Sequence, residues 1–181
     1  MPSKTRLLAL VASLSAANAA LRVGLAGLPP NVRPTAFLII IAGTVCGPFP
    51  GFVVGWLSMT LSDLVLVPGP WTIETSAGMA LVGVLAGFVW YRSDNPSRMR
   101  MAVGGYLLAM LYDIGTAFVD VFLYHLPWWT TLLGLYVPFI VPGFSPWPFG
   151  FAHELTTAML CGTIGPSVTR QIRKVYQRAS G

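Results

Sequence analysis

The chain has 181 residues, of which 55% are hydrophobic and 9% charged, a balance that a water-soluble domain of this size does not show. Its formal net charge is +5, and nine of its eleven Lys and Arg lie in three short clusters, Lys4/Arg6, Arg92/Arg98/Arg100 and Arg170/Arg173/Lys174/Arg178, with long apolar stretches between them. That pattern excludes a soluble domain and describes a polytopic membrane protein. Because the basic residues are juxtamembrane and decorate no soluble surface, it also argues against nucleic acid as a partner.

In chain order, six apolar segments are candidate spans: Leu7–Leu28, Thr35–Cys46, Gly51–Val67, Ile73–Tyr91, Met101–Leu123 and Phe149–Thr169. A bilayer crossing takes roughly 20 apolar residues, and shorter helices cross when packed inside a bundle. The second and third segments are short and joined at Gly47-Pro48-Phe49-Pro50, read as a tight turn. An even number of spans puts both termini on one side, and the positive-inside rule makes that side cytoplasmic, together with the Arg92–Arg100 loop. The expected fold is an all-α membrane protein, a six-transmembrane-helix bundle forming a single integral membrane domain over residues 1–181, with N- and C-termini cytoplasmic.

The first segment admits a rival reading. Lys4 and Arg6, an apolar run and then Ala17-Asn18-Ala19 resemble a secretory signal with its cleavage site. Apolar sequence continues to Leu28, however, and removing the segment would leave five spans with conflicting loop charges, so a retained first helix fits better. Ala12, Ala16 and Ala20 recur every four residues on it, a small-residue stripe that lets another backbone approach closely, within the bundle or from a partner. Cys46 and Cys161 both fall toward cytoplasmic ends, which argues against a structural disulfide or a metal pair.

Ionisable residues within spans are costly and mark function by default. With the expected topology, Asp63, Glu74 and Asp120 fall near outer helix ends, Asp113 near the middle of the fifth span, and His153 and Glu154 in the outer part of the last. Only Arg22 and Arg33 oppose these five carboxylates. The excess of acid predicts protonated carboxyls or a cationic, donor-rich ligand. The alternative is structural: Arg22 pairs with one acid, Asp63 and Glu74 cap helix ends, and His153 bonds across the bundle.

Trp71, Tyr124, Trp128, Trp129, Tyr136 and Trp147 all come from the outer loops or their edges, as an interfacial belt would require. Gly69-Pro70 predicts a turn that directs the Trp71 ring over the bundle mouth. Residues His125–Pro148 contain five prolines and no Lys, Arg, Asp or Glu. They read as a lid-like outer loop carrying a short apolar helix at about Thr130–Ile140.

Several of these segments also resemble a known family. Pro34-Thr35 opens the second span, "AGTVCGPFPGFVVGWLSMTLSD" carries Gly43, Gly47-Pro48, Gly51 and Gly55, "VPGPWTIETSAGMALVGVLAG" follows, and the last span reads "FGFAHELTTAMLCGTIGPSVTRQIR". From Ala9 to Arg173 the chain is similar to the substrate-binding S components of energy-coupling factor (ECF) transporters. The resemblance rests on spaced Gly, Pro and Trp and not on a chemical signature. It implies a binding protein without catalytic residues or cofactor, docked on a transmembrane coupling protein driven by two ATPase subunits. Ala12, Ala16 and Ala20 would form the docking face. The ligand would sit near the outer surface among the last three spans and the loops Pro29–Pro34, Pro68–Thr72 and His125–Pro148. No phosphate-binding loop occurs in the chain, so ATP hydrolysis would fall to the partner.

The function expected is therefore high-affinity capture of a vitamin or related small molecule, cobalamin-type by the "GPWT" turn or a cationic vitamin such as thiamine by the excess of acid. The residues expected at the ligand are Arg33, Asp63, Trp71, Glu74, Asp113, Asp120, Tyr124, His153 and Glu154. A metal subunit of the same transporter class has only His125 and His153 to offer. Two readings from other classes stand beside these. One is an intramembrane enzyme using His153/Glu154 with Asp113 or Asp120, although His-Glu lacks the second His of a zinc protease helix. The other is a membrane scaffold working through the Ala stripe, against which the ring of carboxylates argues.

Overall fold

The structure is a computed structural model that describes residues 4–28, 32–93, 95–137 and 148–178. Among these, eight helices follow one another: α1 (Lys4–Gly24), α2 (Thr35–Cys46), α3 (Pro48–Leu66), α4 (Trp71–Trp90), α5 (Arg98–Leu123), α6 (Trp128–Gly134), α7 (Phe149–Thr163) and α8 (Gly165–Arg178). There is no strand among the described residues. Four helices, α1, α3, α4 and α5, are long and apolar enough to cross a bilayer. Leu57, Leu64, Ile73, Phe88, Phe118 and Phe122 point outward from them, as lipid-facing side chains do.

Helix α2 is the axis of the bundle. Its sequence TAFLIIIAGTVC is apolar on every side, and all its residues but Leu38 are buried, the pattern of a helix surrounded by others. At 1.5 Å per residue it is about 18 Å long, short of a bilayer core, and its neighbours shield it instead. The connection to α3 is tighter than the sequence reading of a four-residue turn. Gly47 alone makes it, at φ +101, where a side chain would be strained. Pro48 already occupies the first turn of α3, a position that needs no N–H and favours its fixed φ.

Helices α2, α3 and α4 pack backbone to backbone. A Cβ on Gly83 would lie 2.2 Å from the carbonyl oxygen of Gly51, and one on Gly43 would lie 2.2 Å from that of Gly83. This close approach is what small residues provide in membrane bundles, where apolar burial does not distinguish a neighbouring helix from lipid. Helix α1 joins α3 through buried polar groups one turn apart. Asn18 donates to Ser58 at 3.0 Å, and Arg22 donates to Ser62 at 2.6 Å and pairs with Asp63.

The last expected span is two helices. Pro166 has no N–H to give to the carbonyl one turn back, and the helix breaks at Ile164 between α7 and α8. Arg173 of α8 donates to Thr44 O at 2.7 Å, Trp90 O at 3.2 Å and Tyr91 O at 3.3 Å, so it caps the carbonyl ends of α2 and α4 where a cation is favoured. Arg6 lies across a shallow cavity from Ile172 and Tyr176. The start of α1, the ends of α2 and α4, and α8 therefore share one end of the bundle, the basic end.

Candidate functional site

At the opposite end, the polar side chains of six helices converge. A chamber of about 70 Å³ is lined by Arg22, Arg33, Thr35, Met59, Met79, Tyr112 and His153. It exists because each helix contributes one residue at a similar depth: Arg22 from α1, Thr35 from α2, Met59 from α3, Met79 from α4, Tyr112 from α5 and His153 from α7. Arg33 comes from the residues just before α2. Its Nη2 donates to Ala26 O at 3.1 Å, and its Nε is buried with no partner. Burial, and then the nearby Arg22 charge, hold the Arg33 guanidinium below its ordinary value.

Behind this lining stand two of the expected carboxylates. Asp63, 2% exposed, is paired with Arg22. Asp113, also 2% exposed, faces Nδ1 of His153, which is 3.0 Å from both carboxylate oxygens. The Tyr112 ring meets the His153 ring edge-on, with centroids 5.5 Å apart. Glu154 is fully buried and accepts from the Tyr136 hydroxyl at 2.6 Å; Tyr106 of α5 is nearby.

The remaining expected residues lie elsewhere. Glu74 lines an apolar groove of about 620 Å³ between α4 and α5, with Ile73, Leu81, Leu111, Val119 and Leu123. Asp120 lies beside Glu74, a like-charged neighbour. Tyr124, exposed at the end of α5, is not among the residues lining the chamber or the groove. Trp71 departs from its expected orientation. Its ring packs against Gly69, where a Cβ would sit 2.4 Å from it, and it too lines neither cavity.

Most of these acids are thus engaged by the protein itself. Asp63 has Arg22, Asp113 has His153, Glu154 has Tyr136 and Glu74 neighbours Asp120, while Asp63 Oδ2, Glu74 Oε2 and Glu154 Oε2 are buried with no partner among the described residues. The polar groups lining the chamber are two guanidinium groups, an imidazole, a phenol and the Thr35 hydroxyl, beside the side chains of Met59 and Met79. These pairings turn the acids away from the chamber lining, so the count of charges alone does not make that lining cation-attracting. Tyr112 gave no sequence signal. It separates the chamber from the α4/α5 groove and lines both, and Gly78 makes room for its ring.

Over this end runs the segment after α5. His125 has φ 52 and turns the chain back into α6, which begins at Trp128, earlier than the expected Thr130–Ile140 helix. Residues 138–147, with Trp147 and the last three residues of that helix, lie outside the described residues, as do residues 29–31 of the Pro29–Pro34 loop. What is described is fastened to α7 by the Tyr136–Glu154 bond and by Gly150 N donating to Leu135 O at 3.0 Å.

Ala12, Ala16 and Ala20 are exposed on the side of α1 away from the bundle, whereas Val11, Ser15, Asn18 and Ala19 are buried against it. Among the described residues no three His, Cys, Asp or Glu converge as a metal site requires. Both cysteines are free and buried.

A family model described as ECF-type riboflavin transporter, S component, matches residues 3–147, from the start of the chain through α6. No curated protein and no solved structure matches the chain. His153 and Glu154 lie beyond the matched residues.

Proposed function

Because this chain belongs to the family of ECF-type riboflavin transporter S components, and so is a substrate-binding subunit of a vitamin importer in the cell membrane and not an enzyme, we propose that its ligand is riboflavin. The observation that carries this choice is the lining of the chamber. Arg22, Arg33 and His153 face it while Asp63 and Asp113 are paired with Arg22 and His153, so it suits a neutral, carbonyl-bearing ring system. Thiamine, a cation, would meet two guanidinium groups there. Neither thiamine nor a cobalamin-type ligand has support from the matching family.

In this role Arg33, Tyr112 and His153 contact the ligand. Asp63 and Asp113 position Arg22 and His153. The segment carrying α6 closes over the bound vitamin and replaces water around it. Helices α1 to α5 and the α7/α8 pair make six crossings with both termini and the basic loop cytoplasmic, a topology supported by the gathering of basic residues at one end of the bundle. The exposed Ala12, Ala16 and Ala20 stripe is the docking face for a transmembrane coupling protein, to which two ATPase subunits supply the energy. The α4/α5 groove, with Glu74 and Asp120, opens on the lipid side of the chamber.

The test is to purify the protein in mild detergent, denature it and identify released small molecules by mass spectrometry. The ligand-free protein is then titrated with riboflavin, thiamine and cobalamin. Stoichiometric flavin and quenching of flavin fluorescence are the expected results. Capture of thiamine or cobalamin with no response to riboflavin overturns the assignment.

A further inference from the structure

We propose that the chamber reads the imide edge of the flavin ring, with Arg22 and Arg33 donating to its two carbonyl oxygens and Nε2 of His153 accepting from the N3–H between them. The inference rests on riboflavin being the ligand and says which edge of it is buried.

Size is the first argument. A chamber of about 70 Å³ holds the equivalent of roughly two waters, whereas whole-ligand pockets run from about 300 Å³ upward. Only one edge of a fused three-ring system enters it, and the rest extends beyond.

The second argument is the protonation pattern. Nδ1 of His153 is 3.0 Å from both oxygens of Asp113. Asp113 engages Nδ1, so Nε2 is the ring nitrogen left for the chamber, and it carries the lone pair of a neutral imidazole whose Nδ1–H is donated to that carboxylate. His153 is 4% exposed and lines the chamber. The edge-on contact with Tyr112 holds the ring plane. In that tautomer this histidine presents an acceptor to the chamber, where a ligand or a water carrying a hydrogen can satisfy it.

The third argument concerns the donors. Arg22 spends Nη1 on Asp63 and Ser62, and its other nitrogens make no bond among the described residues. Arg33 spends Nη2 on Ala26 O and keeps a buried Nε with no partner. Buried donors without acceptors are rare and costly. Two guanidinium groups beside one engaged carboxylate call for acceptor oxygens and disfavour a cation. Two donors and one acceptor are the complement of an imide, which presents two carbonyl oxygens and one N–H. A pyrimidinium or a metal ion offers no such set.

The experiment uses the full chain in detergent, stripped of flavin, titrated with riboflavin and with 3-methylriboflavin, in which the N3–H is replaced by a methyl group. The wild-type protein is expected to bind the methylated flavin on the order of 10- to 100-fold more weakly, the scale of a buried polar group left unpaired. His153→Leu should lose riboflavin affinity and bind the two flavins alike. His153→Gln, whose amide oxygen can accept in the same place, should retain the preference and guards against misfolding of the Leu variant. Equal binding of both flavins by the wild type overturns the edge assignment and leaves riboflavin capture standing. A preference that survives in His153→Leu is steric and overturns it as well. Failure of either flavin to bind removes the functional reading beneath it.

Discussion

Nδ1 of His153 on α7 lies equidistant, at 3.0 Å, from the two carboxylate oxygens of Asp113 on α5, so a contact between two helices decides which nitrogen of the imidazole remains for a ligand. Asp113→Asn keeps the shape and an acceptor oxygen but removes the charge that fixes the tautomer. Flavin affinity is expected to fall about tenfold, the scale of one charge-assisted hydrogen bond, with the helices intact. Fluorescence titration beside thermal unfolding checks this. A lowered melting point with unchanged affinity would make Asp113 a structural residue only.

The glycine contacts of α2, α3 and α4 give a sharper stability prediction. On Gly83 a Cβ would sit 2.2 Å from a backbone carbonyl oxygen, whereas on Gly115 it would meet nothing within 4 Å. Gly83→Ala forces two helix backbones apart and should cost on the order of 1–3 kcal/mol, the usual cost of overpacking. Gly115→Ala should be neutral or slightly stabilising, because Ala favours the helix. Unfolding midpoints of the two variants in the same detergent decide the matter. Equal effects would mean that the close approach is not a determinant of stability.

Why the helices were legible and the site was not follows from the reach of sequence patterns. The apolar runs are long, and Gly and Pro punctuate them, so the starts and ends of the spans fall within a few residues of the helices. Punctuation also misleads. Gly47-Pro48-Phe49-Pro50 reads as a turn, yet only Gly47 leaves the helix, because proline is at home in a first turn. Pro166 does break its helix, where the sequence reads one span. The pairing of acids lies further out of reach. Arg22 finds Ser62 and Asp63, and His153 finds Asp113, across separations of 40 or 41 residues, whereas periodicity relates only neighbours on one helix. Counting five acids against two arginines therefore gives the composition of the cavity region without its surface. The four-residue spacing of the α1 alanines marks one helix face but leaves open whether it packs inside the bundle, and the structure exposes it.

The segment above the chamber is held by one strong bond. Tyr136 donates to the buried Glu154 at 2.6 Å, and burial, then that bond, hold its phenol above the ordinary tyrosine range. A raised value in the folded state means that the tether is complete below about pH 10 and is lost only as the pH climbs through that raised value. Tyr136→Phe should speed flavin dissociation by about five- to tenfold, the loss of one hydrogen bond to a charged group, with little change in association. The wild-type dissociation rate should stay level from about pH 6 to pH 9. Stopped-flow release of flavin fluorescence measures both. An unchanged rate in the Phe variant would mean that the segment does not gate the ligand.

The proposed docking stripe and the chamber lie on separate sides of α1, and that separation is itself testable. Ala12, Ala16 and Ala20 are exposed, while Asn18 and Arg22, which tie α1 to α3, point the other way. A bulky side chain at Ala16 therefore meets nothing inside the subunit but blocks the approach of a partner backbone, which small residues permit. Ala16→Trp is expected to abolish copurification with the coupling protein and its ATPases and to stop uptake by cells. Flavin binding by the isolated subunit should remain within about twofold of the wild type, since no contact of the chamber changes. Asn18→Leu should do the reverse, weakening the subunit from within by leaving Ser58 without its donor. Copurification that persists in Ala16→Trp would move the docking surface to another face of the bundle, and loss of flavin binding in that variant would mean that α1 transmits to the chamber through Arg22.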